Sequence, residues 1–140
     1  LSWAARLHES GLSISHSQHH KHGAYLLANS DLHGFTRREQ QQLALLIRAH
    51  RRKFPLLELQ APGEDEGQRL LHMSVLLRLA VLLHRSHSDE EPPLLTLSAS
   101  EMALVLHFPQ GWLEAHPLTA ADLEQEQAWL QGVTFNLQVA

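Results

Sequence analysis

Five histidines fall within fifteen positions near the start of the chain: His8, His16, His19, His20 and His22, in LHESGLSISHSQHHKHGAYLL (residues 7–27). Imidazole ligates transition metals, changes charge near neutral pH and, when protonated, donates to phosphate oxygens. Metal binding needs three or four ligands converging from several elements, often with a carboxylate among them. If the stretch is helical, His16 shares a face with His20, and His19 with His22. Glu9, Asp31 and His50 are the further candidates. A histidine cluster without cysteine has no spacing peculiar to metals. The plain alternative is a set of hydrogen-bonding histidines at a helix end.

Anion binding is the second chemistry these residues allow. Lys21 and His22 lie near a helix start, where unpaired N–H groups attract phosphate. Arg48, His50, Arg51, Arg52 and Lys53 crowd the end of another helix. Four fixed cations so close together repel one another unless an anion sits among them. Their plain role is to complement the negative end of the helix dipole. Two basic clusters in one part of the chain favour the anion.

The charge distribution agrees. Residues 1–60 hold eight Lys/Arg against four Asp/Glu, and residues 61–140 hold three against eleven, for a net charge of -4. A basic first half suits an anionic ligand, though a segregated solvated surface gives the same numbers. The chain has 140 residues and is 44% hydrophobic, enough for a packed core. Cysteine is absent, which excludes disulfides and thiolate metal sites and fits a reducing compartment. No Gly-rich phosphate loop occurs, and no Ser-His-Asp layout can be assigned. The longest apolar stretch, Leu70 to Leu83, contains His72 and Arg78 and is too short and polar to span a bilayer. The opening LSWAARL has no initiator Met and no signal-peptide layout, and reads as the middle or end of a helix. It suggests a fragment whose N-terminal neighbour has been removed.

The elements that must position these groups follow from periodicity and caps. Leu1 to Glu9 is helical in character and stops near Gly11; Leu12 to His19 reads as a loop. His20 to Asn29 carries Ala24, Tyr25, Leu27 and Ala28 at helical spacing, before the stop Asn29-Ser30-Asp31. Thr36-Arg37-Arg38-Glu39 is a capping box. The helix it opens places Leu43, Leu46, Ile47 and His50 on one stripe and ends before Pro55. Ala61-Pro62-Gly63 is a turn, and Glu64-Asp65-Glu66 suits the helix N-terminus that follows. That helix should run to about His87 and be the central buried one.

A linker from Ser88 to Pro93 follows. Leu94 to Leu97 and Met102 to Phe108 read as strands around the turn Ala99-Ser100-Glu101. Gly111 to His116 is a short helical segment. Thr119-Ala120-Ala121-Asp122 caps a helix reaching about Gln131, which Gly132 stops. Val133 to Val139 alternates as a last strand. The expectation is a mainly α chain: a helical domain over 1–90 and a small β-β-α-β, α+β domain over 91–140.

Several strings together resemble a known family. They are His8-Glu9-x-Gly11-Leu12-x-Ile14-x-His16, His20-Lys21-His22-Gly23-Ala24-Tyr25-Leu26-Leu27, Asn29-Ser30-Asp31-Leu32-x-Gly34-Phe35, Glu39-Gln40 and His50-Arg51-Arg52-Lys53. The tail adds Gly111-Trp112-Leu113, His116-Pro117-Leu118-Thr119 and Asp122-Leu123-x-x-Glu126. The chain closely resembles the C-terminal region of the exopolyphosphatase / guanosine pentaphosphate phosphohydrolase family.

The resemblance implies an HD-domain-like helical bundle, short of its N-terminal helices, followed by the small α+β domain. In the HD fold a His-Asp doublet and a distant Asp hold a metal. The doublet position here is His8-Glu9, and Val81, which cannot ligate, stands where relatives have the distant Asp. The resemblance thus implies no metal site and no catalytic residue in this chain. It places the chemistry, with its Mg²⁺, in an actin-like N-terminal half, and no cofactor in this fragment.

The implied activity of the parent is removal of terminal orthophosphate from inorganic polyphosphate, and of phosphate from guanosine pentaphosphate. This region would bind the polyanion through Lys21, His22, Arg48, His50, Arg51, Arg52 and Lys53. It would pack on its own actin-like domains and support a homodimer, in the cytoplasm or peripherally at a membrane. Binding should strengthen from about pH 8 to pH 6 as His22 and His50 take up protons. Two competing readings remain: an active metal-dependent HD phosphohydrolase using His8, Glu9 and nearby histidines, and a nucleic-acid-binding helical module using His50 to Lys53. Nucleic acid is not the expected partner.

Overall fold

The computed structural model describes residues 1–85 and 91–140. The chain divides into two compact units, Leu1–Val81 and Leu82–Ala140. The expected domain boundary at 90/91, the expected helix end near His87 and the first half of the expected linker fall at or within residues outside the described ones.

The first unit is helical. Helix α1 is Ser2–Leu7, ending two residues before the expected Glu9, and a 3-10 turn at Ser10–Ser13 occupies part of the expected loop. Helix α2 is His19–Asn29. Helix α3 is Arg37–Ala49, and its capping box is formed in full: Thr36 accepts from the Glu39 amide, and Glu39 accepts from the Thr36 amide. Leu43, Ala44, Leu46, Ile47 and Ala49 form its buried stripe. Helices α1 and α2 both pack on α3, and the 3-10 turn packs on α2.

A short helix α4, Leu56–Gln60, was not legible in the sequence; its buried anchor is Leu59. Helix α5, Glu64–His84, begins with the three expected acids. Gly67 lets it lie against α4, since a Cβ there would stand 2.5 Å from the Leu59 carbonyl oxygen. Glu66 ties the start of α5 to α3 by accepting from Arg38 and Gln42. Leu70, Ser74, Val75, Leu77, Arg78, Leu79 and Leu82 on α5 are buried. Its burial is not all-round, because Leu76 and Ala80 are exposed.

The second unit holds the β-β-α-β arrangement. Strand β1, Thr96–Ser100, pairs antiparallel with β2, Ala103–His107, which pairs parallel with β3, Asn136–Val139. The hairpin turn is at Glu101-Met102, because Ser100 pairs with Ala103. The expected turn at Ala99-Ser100-Glu101 is therefore too early. The first strand also starts at Thr96 instead of the expected Leu94, which is almost fully exposed.

Helix α6 is Trp112–Ala115, and α7 is Pro117–Gln131. The expected cap at Thr119 is corrected: Pro117 occupies the first turn, where its missing N–H leaves nothing unsatisfied, and Thr119 is buried. Gly132 has ordinary right-handed backbone, and the left-handed residue beyond the helix is Thr134. Val133, Phe135 and Leu137 are buried while Thr134, Asn136 and Gln138 are exposed, the alternation expected of the closing strand.

Candidate functional site

The end of α1, the start of α2 and the end of α3 meet, and each brings histidine. His8 follows α1 and His50 follows α3 as helix C-caps. Each ring turns back on its own helix: His8 Nδ1 lies 2.7 Å from Ala5 O, and His50 Nδ1 lies 2.5 Å from Ile47 O. A carbonyl only accepts, so Nδ1 carries a proton in both rings; in His50, which burial keeps neutral, Nε2 has the lone pair. The two rings meet edge to face, with centroids 5.3 Å apart.

Helix α2 completes the cluster. The His19 ring lies 5.5 Å and the His20 ring 6.4 Å from the His50 ring. His16 reaches His19 at 6.2 Å. Because α2 begins at His19, His16 and His20 do not share a helix face. Asp31 stands with His33 at the surface instead.

Burial fixes the protonation of these rings. His20 is 2% exposed and His50 3% exposed. Desolvation is the main cause that lowers His20 to about 4, with Arg48, Arg51, His19 and Lys21 adding repulsion. Desolvation likewise lowers His50 to about 3; the bond to Ile47 opposes this, and His8, His19 and His20 add to it. His19 is lowered by burial and then by Arg51 and His16, with Glu9 acting the other way. The inner cluster is therefore neutral at pH 7. Among the described residues, no group of three or more His, Asp or Glu is arranged to hold a metal ion.

The expected anion-binding residues separate into two sets. Lys21, Arg48 and Arg51 each repel a proton on His20. Lys21 is exposed, whereas Arg48 and Arg51 are part-buried. Arg48 also lines an open cavity of about 910 Å³ shared with Tyr25, Gln41, Glu58 and Leu70. Arg52 and Lys53 are exposed on the turn after α3, and His22 is half-buried on α2.

His50 lies beneath the basic surface. Desolvation of this buried ring, not its bond to Ile47, opposes a second proton on Nε2 and lowers His50 to about 3, so the ring is neutral between pH 8 and pH 6, against the expectation that it takes up a proton there. Arg78 was missed by sequence reasoning. It is 3% exposed and donates Nη1–H to Ala49 O at 2.7 Å. Its signal was present, a lone guanidinium inside the apolar run of α5.

The Ppx/GppA phosphatase domain III family matches residues 1–127. A guanosine-5'-triphosphate,3'-diphosphate pyrophosphatase of Aeromonas hydrophila subsp. hydrophila is 36% identical over 126 residues, covering 90% of this chain and 25% of that protein. The protein of the same name from Aeromonas salmonicida is 35% identical over the same length and shares. The chain thus spans about a quarter of the length of these curated relatives. Among the described residues, no helix is long and apolar enough to cross a membrane.

Proposed function

Since the chain belongs to the Ppx/GppA phosphatase family, as the C-terminal region containing its domain III, we propose that it is the polyanion-gripping part of a phosphoanhydride hydrolase. The parent protein removes terminal orthophosphate from inorganic polyphosphate. Guanosine 5'-triphosphate 3'-diphosphate, the compound in the names of both relatives, is its second substrate. The chemistry and its Mg²⁺ belong to an actin-like half outside this chain. The region works in the cytoplasm, docked on that half and paired with a second copy.

One observation carries the gripping role: Lys21, Arg48 and Arg51 each repel a proton on His20, at the start of α2. A phosphate chain offers closely spaced charges and few other features. Several fixed cations hold it without choosing one register, as they hold a nucleic-acid backbone. The exposed Arg52 and Lys53 follow Arg51 directly in the chain.

The test is a titration of this chain with long polyphosphate and with orthophosphate at several ionic strengths. Tighter binding of the long polymer, falling steeply with salt, is expected. Equal binding of both ligands, or binding flat with salt, removes the reading. In the same preparation, phosphate release with Mg²⁺ or Mn²⁺ should be absent. Turnover that vanishes in His8→Ala would instead assign hydrolysis to the histidine cluster.

A further inference from the structure

Residues 50–53 carry three of the fixed cations invoked above and belong to no helix or strand. They join the end of α3 to Phe54 and Pro55, both buried. Within this run Arg52 has φ +60°, a left-handed conformation that crowds the Cβ of an L residue. A turn of like charges with a strained residue needs an external hold. Both of its ends touch one side chain.

That side chain is Arg78, on α5. At the first end its Nη1–H goes to Ala49 O, one of the carbonyls a helix leaves without an internal partner. At the other end its guanidinium carbon lies 4.3 Å from the centroid of the Phe54 ring, itself buried. A planar guanidinium donates in its plane and stacks on its face, so one group does both. An ammonium has no such plane. The cation also sits at the negative end of the α3 dipole, which favours its charge there.

We propose that Arg78 is the positioning residue of the 50–53 turn, holding Arg51, Arg52 and Lys53 in the arrangement that meets a phosphate chain. It touches no ligand itself. The proposal rests on the polyanion reading above and specifies which buried group that surface depends on.

The test uses this chain with Arg78→Lys, which keeps the charge and loses the plane, and Phe54→Leu, which keeps an apolar core residue and removes the ring. Backbone hydrogen exchange is followed without ligand, and polyphosphate binding is then measured against salt. In both variants, amides 50–54 should exchange about tenfold faster while the first two turns of α3 keep their protection. Polyphosphate affinity should fall about tenfold, as for the loss of one charge-assisted contact, with a shallower salt slope. Unchanged exchange at 50–54 in both variants overturns the proposal, as does faster exchange with unchanged affinity and slope. A wild-type chain that binds no polyphosphate overturns the polyanion reading and leaves the exchange comparison to decide whether Arg78 holds the turn. If Arg78→Lys does not fold, Phe54→Leu alone decides by the same two readouts.

Discussion

Gly11 and Gly23 meet backbone to backbone. A Cβ on Gly11 would stand 2.6 Å from the Gly23 amide nitrogen and 1.8 Å from the His19 carbonyl oxygen. A Cβ on Gly23 would stand 3.2 Å from the Gly11 amide nitrogen and 3.0 Å from an Ile47 methyl. This contact seats the 3-10 turn on α2 and brings the chain from His8 to His16 against His19, His20 and His50. The histidine cluster therefore depends on two residues that have no side chain.

Gly11→Ala should cost about 3 kcal/mol or more, because the obstacle is backbone and cannot swing aside. The control is Gly34→Ala, where φ is +89° and nothing lies within 4 Å; conformational strain alone should cost about 1 kcal/mol. Denaturant melts of the two variants check the order. A Gly11→Ala variant as stable as the Gly34→Ala variant would show that the close approach is not obligatory.

Acidification should weaken the helical unit before its carboxylates protonate. His20 and His50 are lowered to about 4 and about 3, from a reference of 6.5. The unfolded chain thus binds their protons first. Stability is intact above about pH 6.5 and falls as pH drops towards 4 and then 3. Unfolding near pH 5 should take up about two protons from this pair. Between pH 7.5 and 5, Glu39 and Glu66, both lowered from 4.5, stay ionised in the folded chain. Melts at each pH give the proton uptake, and His50→Gln should remove about one proton of it. Equal pH dependence in this variant and the wild type contradicts the assignment to His50.

Polyphosphate affinity should still rise from about pH 8 to pH 6 when His50 is replaced by Gln, because that ring is buried and neutral across the range. Half-buried His22, next to Lys21, is the remaining member of the expected pair. Comparing His22→Gln with His50→Gln at the two pH values separates them. Loss of the pH effect in His50→Gln alone would reverse the conclusion.

Thr36→Ala should cost about 1 kcal/mol through loss of the α3 cap. The Glu39 carboxyl, now held down by its bonds to the Thr36 amide and hydroxyl, should titrate higher in the variant. An unchanged Glu39 titration, followed by NMR, would argue that the hydroxyl contributes nothing to the cap.

Much of this chain was decided by local sequence. Thr36 and Glu39 fix where α3 begins, because a capping box is satisfied within four residues. Pro117 and the alternation from Val133 to Val139 are likewise local signals. The apolar stripe of α3, including His50, was legible as a face. What that face would do to His50 was not. A histidine on an apolar stripe reads as ligand, proton carrier or core. The choice depends on His8, His19 and His20 arriving from two other elements to remove its water. Arg78 shows the same limit from the other side: its charge interrupts an apolar run in plain view, but two groups that help make the charge tolerable, Ala49 O and the Phe54 ring, lie more than twenty residues away. Helix ends and strand faces come from neighbours in sequence. Burial, and with it protonation and the hold on a charged turn, comes from neighbours in space.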